Sequence, residues 1–290
     1  MKKGIVIRAF SGNPDFLGSG GFLSGLDDFK RCFARARATG FDGVQPFLEP
    51  AGHFSLESSD AVLRAVASAA REAGIAIPSL EIAPFSFSFT TDDEAERRRA
   101  ISHVSRCLEI AAAMEVGGVL TIPGWVGLPW DRSAPTVRYD IAYARTRDAL
   151  RELAPVAERA GVSVLLENIW NRFLLSPLEM RGLLDDVGSP RVRAIFDVGN
   201  VVLFGYPEQW IRILGPRIQE VHLKDYRAAV GTVDGFVDLL SGDVDWPAVM
   251  AALREIGYDG FLTAEVFPQP HAPDLVAEQT SRAIDAMLAL

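Results

Sequence analysis

Four short stretches place metal-binding and proton-moving side chains at the ends of apolar runs. They are "VLLEN" with Glu167 and Asn168, "IFDVGN" with Asp197 and Asn200, "VHLKD" with His222 and Lys224, and "TAEV" with Glu265. Each alternates with period two, which marks a strand with two different faces. Leu165 and Glu167 share a face, as do Ile195 and Asp197, as do Glu220, His222 and Lys224, and as do Thr263 and Glu265. The opposite faces are wholly apolar in two of the runs: Ala194, Phe196 and Val198, then Leu262, Ala264 and Val266. If the apolar faces pack against helices, Glu167, Asp197, His222 and Glu265 converge on the other side. Three converging carboxylates repel, and burial raises the cost of their charge. One imidazole cannot balance them. A divalent cation can, and an oxygen-rich set with one nitrogen suits Mn²⁺ first, then Mg²⁺, Co²⁺ or Zn²⁺.

Convergence needs neighbouring parallel strands, and the rest of the chain supplies them. Eight apolar runs recur: "GIVIRA", "DGVQPFL", "IAIPSLEI", "GGVLTIP", "VSVLLEN", "VRAIFDV", "IQEVHLK" and "GFLTAEV". Segments of helical period separate them, several closed by a glycine: Gly40, Gly74, Gly117, Gly161 and Gly257. Helix starts are expected at Ser59-Asp60, at Thr91-Asp92, and at Asp245 ahead of Trp246-Pro247. Eight strand-then-helix units predict an α/β protein, a (β/α)₈ barrel forming one domain over residues 1–290. No glycine-rich phosphate loop follows the first strand, which argues against an open doubly wound sheet. The long irregular stretch from Tyr226 to Trp246 is expected at the C-terminal mouth, where barrel active sites lie.

The bulk numbers narrow the function. The chain has 290 residues, 23% charged, with a net charge of -9. That balance opposes a nucleic-acid partner. The start, "MKKGIVIRAF", resembles a signal peptide, but Arg8 breaks its apolar run. No stretch approaches the roughly 20 apolar residues of a membrane span. The two cysteines, Cys32 and Cys107, fall in helical stretches, so a reducing cytoplasm is the expected home.

The motifs "LLENIWNRF", "FDVGNVV", "VHLKDY" and "TAEVF" resemble the metal-ligand strand ends of the xylose-isomerase-like barrel superfamily of sugar isomerases and epimerases. The similarity is strongest to its hexulose- and xylulose-phosphate 3-epimerase branch, with ligand separations of 30, 25 and 43 residues. The free-ketose 3-epimerases are similar in the same places. The resemblance implies that Glu167, Asp197, His222 and Glu265 hold one divalent metal, and that Glu167 and Glu265 transfer protons. The expected reaction is epimerisation or isomerisation of a ketose or ketose phosphate through a metal-stabilised enediolate. Two carboxylates on opposite sides of the sugar would invert a carbon. One working alone would interconvert aldose and ketose.

Other residues are candidates for the substrate, a sugar or polyol. Asn200 follows the ligand Asp197, Lys224 lies one inward step beyond His222, Trp125 and Trp130 follow the fourth strand, and His53, Glu49 and Gln45 lie at or after the second. Lys224 is expected either to meet a sugar oxygen or phosphate or to pair with Asp225 on the surface. Relatives often carry an acid where Gln45 aligns. Asn168 is expected in second-rank support or a turn, Arg172 near an anionic group, and His103 in a structural role. The run "IAPFSFSFTT", residues 82–91, has no base where the phosphate-sugar branch carries one, which opens the way to unphosphorylated substrates. The alternatives are an inosose-type dehydratase using the same enolate, an endonuclease-like hydrolase, and an inactive sugar-binding relative. Four histidines in all, with one well placed, disfavour the hydrolase. A homo-oligomer is expected from the relatives.

Overall fold

The computed structural model of the chain describes residues 1–11, 23–49, 51–82, 87–266, 268–269 and 271–290. Eight parallel strands form the wall: β1 (Lys2–Val6), β2 (Gly43–Gln45, resuming at Phe47–Leu48), β3 (Leu80–Ile82), β4 (Gly118–Thr121), β5 (Ser163–Glu167), β6 (Val192–Asp197), β7 (Ile218–Leu223) and β8 (Phe261–Ala264). Eight helices alternate with them: α1 (Leu26–Ala38), α2 (Asp60–Glu72), α3 (Glu94–Ala113), α4 (Tyr139–Ala160), α5 (Pro177–Val187), α6 (Pro207–Leu214), α7 (Trp246–Glu255) and α8 (Pro273–Leu288). The expected alternation is present throughout.

The ring closes through β2. Its first half pairs with β1, at Gly4↔Gly43 and Val6↔Gln45, and its second half pairs with β3, at Phe47↔Glu81. Between the halves stands Pro46, which has no N–H to donate but whose carbonyl accepts from Glu81 N at 2.9 Å. One strand thus serves two neighbours by changing partner at a proline.

Helix starts follow local chemistry. Ser59 Oγ accepts from Val62 N, and Asp245 Oδ1 accepts from Ala248 N at 3.0 Å, both as expected. The cap of α3 is Asp93, one residue past the expected Thr91-Asp92; its carboxylate accepts from Ala95 N and Glu96 N. Gly40, Gly74, Gly161 and Gly257 have positive φ at helix ends, but after α3 that conformation falls to Glu115, not Gly117.

The two strand faces bury into separate cores. Val164, Leu166, Ala194, Phe196, Val221, Leu223, Leu262 and Ala264 belong to the large core between sheet and helices. Leu120, Ile122, Leu165 and Ile195 form a second, small core inside the barrel. Among the described residues, that small cluster comes from β4 and the residue after it, β5 and β6. Elsewhere the inward positions carry Gln45, Ser79, Glu81, Glu220 and Thr263 beside the apolar Val6 and Phe47, and these polar side chains surround the site.

Candidate metal centre

On β5 and β6 the inward residue that follows the small core is an acid. Glu167 follows Leu165 on β5, and Asp197 follows Ile195 on β6. Asp197 lies beside His222 of β7, and His222 beside Thr263 of β8, with Glu265 one inward step further. Their ligand atoms all lie within 4.8 Å of one another. All four side chains are buried, Asp197 and His222 completely. His222 Nδ1 is 3.0 Å from Glu265 Oε2 and 3.3 Å from Glu167 Oε1. The hydrogen bond goes to Glu265, and Glu167 Oε1 is left without one.

The imidazole is held from behind. His222 Nε2 meets Gln45 Oε1 at 2.9 Å, Gln45 Nε2 donates to Ser79 Oγ at 2.8 Å, and Ser79 Oγ donates to Glu220 Oε2 at 2.6 Å. Thr263 Oγ1 donates to the other Glu220 oxygen at 2.6 Å. This chain orients the Gln45 amide and puts the proton of a neutral imidazole on Nε2, leaving Nδ1 as the donor to a metal. Gln45 therefore has a definite place, which its residue type alone did not show.

The loops after β5 and β6 brace each other. Asn168 Nδ2 donates to Asp197 O and its Oδ1 accepts from Asp197 N, both at 2.9 Å. Asn200 N donates to Asp197 Oδ1 at 2.8 Å, and its amide donates to Asn168 O at 2.9 Å. The Asn200 side chain is thus engaged within the loop that carries Asp197. At Gly199 a Cβ would lie 2.5 Å from Lys224 Cβ, so only glycine lets this loop pass β7 so closely.

Lys224 does not pair with Asp225 on the surface, as one expectation had it. Its ammonium lies 2.6 Å from Glu265 Oε2 and 3.2 Å from Asp197 Oδ2. Asp225 is buried and accepts from Tyr226 N and Trp246 Nε1, anchoring the segment that follows β7. That segment folds back as a short antiparallel pair, Asp225–Tyr226 with Phe236–Val237. Trp170 packs on it, with ring centroids 5.1 Å from Tyr226 and 5.3 Å from Phe236. Beneath lies a cleft of about 210 Å³ whose lining includes Lys224, Glu265, Phe236 and Pro268. The irregular stretch is at the mouth, as expected, and it roofs the ligand cluster.

Burial and like charge set the electrostatics. Burial first, and then Glu167 and Glu265, push the Asp197 carboxyl up to about 7 against the pull of Lys224. Burial also opposes ionisation of Glu265, but Lys224 and His222 overcome it and hold that carboxyl at about 2. Burial disfavours a charged His222, yet the two carboxylates that face its ring, Glu167 and Glu265, raise it well above its ordinary value. Two cations thus stand in for the charge that three carboxylates demand. With the buried Glu167 Oε1 left over and Nδ1 pre-set by Gln45, the residues fit a divalent metal.

Other candidates stand apart from this set. His53 is half-buried beyond β2, its ring 6.5 Å from that of Phe29, with Nε2 buried and unpartnered. Trp125 is half-buried after β4, its backbone clipped both ways to Thr90 Oγ1. Arg172 is exposed at positive φ. The base-free run 82–91 lies partly outside the described residues, at 83–86. Sequence reasoning missed Arg8, Ser79 and Glu81. Parity in "SLEI" would have found the last two, since Ser79 and Glu81 share the inward face of β3.

A parallel eight-stranded barrel with a buried acid-and-imidazole cluster at its C-terminal mouth defines a TIM-barrel protein with an enzyme-like centre. Residues 33–287 match the xylose isomerase-like TIM barrel family, and the chain belongs to it. It is 27% identical to a D-psicose 3-epimerase of Agrobacterium fabrum over 79% of this chain and 75% of that protein. It is 26% identical to the uncharacterized protein MJ1311 of Methanocaldococcus jannaschii, over 63% of this chain and 62% of that one. An inosose dehydratase of Geobacillus thermodenitrificans is 26% identical over 42% of this chain and 46% of its own. The chain thus spans less than two thirds of the length of two of these three relatives. Its fold matches that of a crystal structure of D-psicose 3-epimerase in the presence of D-fructose, with a TM-score of 0.76 at 20% identity, over 99% of this chain and 98% of that one. Among the described residues no helix is long and apolar enough to cross a membrane.

Proposed function

We propose that this chain is a divalent-metal-dependent epimerase or isomerase of a ketose or ketose phosphate. The observation that carries the reading is the cluster of Glu167, Asp197, His222 and Glu265, with one glutamate at the end of β5, one just past β8, and the other ligands on the strands between. These four residues would hold one divalent ion, Mn²⁺ first. Such an ion supplies a Lewis acid that steadies negative charge developing on the substrate's oxygens. Glu167 and Glu265 then approach a bound ketose from two sides. One carboxylate removes the proton from the carbon beside the carbonyl, and the other returns a proton to the opposite face. Lys224, Trp125, His53 and Asn200 are assigned to the substrate, Lys224 from within the cleft and Asn200 through the loop it braces. The buried free thiols of Cys32 and Cys107 suit a cytosolic protein, and a homo-oligomer fits the reading.

The test is bound-metal stoichiometry of the wild type beside Glu265→Gln and His222→Ala, followed by ketose screening in D₂O. About one ion per chain, weakened in both variants, together with deuterium at the carbon beside the carbonyl, supports the reading. No ion retained or taken up from Mn²⁺ sinks it. Similarity to inosose dehydratase supports a second reading, water loss from the same enolate. Proton NMR separates the two, because an epimer keeps every carbon-bound oxygen and a dehydration product does not.

A further inference from the structure

Across the barrel from the ligands, a second polar group faces the mouth. Glu81 sits on β3, paired in register with Phe47 and with Leu120 of the inner core. Only 6% of it is exposed, and its Oε2 is fully buried without a hydrogen-bond partner. The contrast with Glu220, one layer deeper, is informative. Glu220 has both oxygens satisfied, by Ser79 and Thr263. A structural buried acid is finished in this way, whereas an unpaired buried oxygen is costly and calls for a partner that arrives later.

Glu81 is not among the four ligands, yet it feels them. Burial first pushes its carboxyl up to about 7; Arg8 opposes the shift, and Glu265 and Glu167 add to it. Arg8 follows β1, is 8% exposed, and lies with its guanidinium 3.8 Å from the centre of the Phe47 ring, which fixes its plane. The same guanidinium opposes the upward shift of half-buried Glu49.

We propose that Glu81 and Arg8 form the far half of the substrate site, a subsite for the neutral, hydroxyl-bearing end of an unphosphorylated ketose. This rests on the ketose reading above and specifies its substrate class. A hydroxyl both donates and accepts, so it can give its proton to the Glu81 carboxylate while taking one from the guanidinium. A terminal phosphate would meet two carboxyl groups, Glu81 and Glu49, for the one guanidinium of Arg8.

The experiment compares wild type, Glu81→Gln and Glu81→Ala, each loaded with Mn²⁺ and checked for one ion per chain. Two rates are measured: turnover of the best of four free ketohexoses (psicose, fructose, tagatose, sorbose), and D₂O exchange into dihydroxyacetone. The triose carries the reacting ketol but is too short to span the mouth. The variants are expected to lose roughly 10- to 100-fold in kcat/KM on the ketohexose, the range for a hydrogen bond to a charged group, and to lose far less on the triose. Wild type is expected to prefer the free ketohexose to fructose 6-phosphate. Parallel losses on both substrates would overturn the subsite by showing a structural role. So would a wild-type preference for the phosphate, or triose exchange without turnover of any free ketohexose. If wild type exchanges nothing, even with the triose, the ketose reading fails and takes the subsite with it.

Discussion

Replacing Lys224 by Met separates the two cations that compete for one site. The ammonium contacts Glu265 at 2.6 Å and Asp197 at 3.2 Å in an almost dry environment. Removing one partner of a buried pair costs about 3–5 kcal/mol. Protonation of Asp197 and the nearby His222 soften the loss here, so about 2 kcal/mol is the better figure for the metal-free protein. With about 2.1 cal/mol/K per residue of unfolding entropy, that lowers the metal-free Tm by roughly 3 °C. A divalent ion at the same carboxylates removes the need for the ammonium, so the loaded protein loses less. The difference must appear as tighter binding, about 30-fold for 2 kcal/mol. Titration calorimetry with Mn²⁺, and melts in EDTA and in saturating Mn²⁺, read both quantities. Glu265→Gln in the same background should shrink the effect, because it removes the shorter contact. A Lys224→Met protein that binds Mn²⁺ no tighter than wild type, with an unchanged metal-free Tm, would refute the competition.

Four more outcomes follow from the structure. Asp197, pushed up to about 7, and His222, raised well above its ordinary value, must both release protons to a metal, so Mn²⁺ affinity should climb from pH 6 to pH 8. Calorimetry in buffers of differing ionisation heat at pH 7 should show proton release, and pH-independent binding would contradict it. The sign for the metal-free fold is opposite: because the native Asp197 and Glu81 carboxyls are raised, their contribution is greatest below the ordinary carboxyl range and is lost as pH rises to about 7. Gln45→Leu should weaken metal binding roughly 10- to 100-fold by freeing the imidazole, and Gln45→Glu should restore most of it; equal affinities would remove Gln45 from the site. Gly124→Ala should lower stability by about 1–3 kcal/mol, since Gly124 has φ +109° and a Cβ there would lie 2.2 Å from Ser88 Oγ, while metal stoichiometry stays near one per chain.

The amino-acid sequence determines the alternation of strand and helix, and through it the barrel. Period two and period 3.6 are local, and caps such as Ser59 and Asp245 act within one turn. It also determines which faces of β5 to β8 carry chemistry, because the apolar partners of Asp197 and Glu265 leave only one direction for the carboxylates. Contacts across the ring are different. Gln45 reaches His222 over 177 residues, Ser79 reaches Glu220 over 141, and Glu81 faces the ligands from the opposite wall. Nothing local distinguishes such a residue from any other polar residue in a strand, since its meaning depends on what closure puts opposite it. Lys224 shows the same limit: its spacing fixed the inward side, but only packing against Asp197 and Glu265 in a water-poor mouth made it a counter-ion instead of a surface lysine. Parity is a property of one strand, whereas register, burial and the partner across the barrel belong to the closed ring.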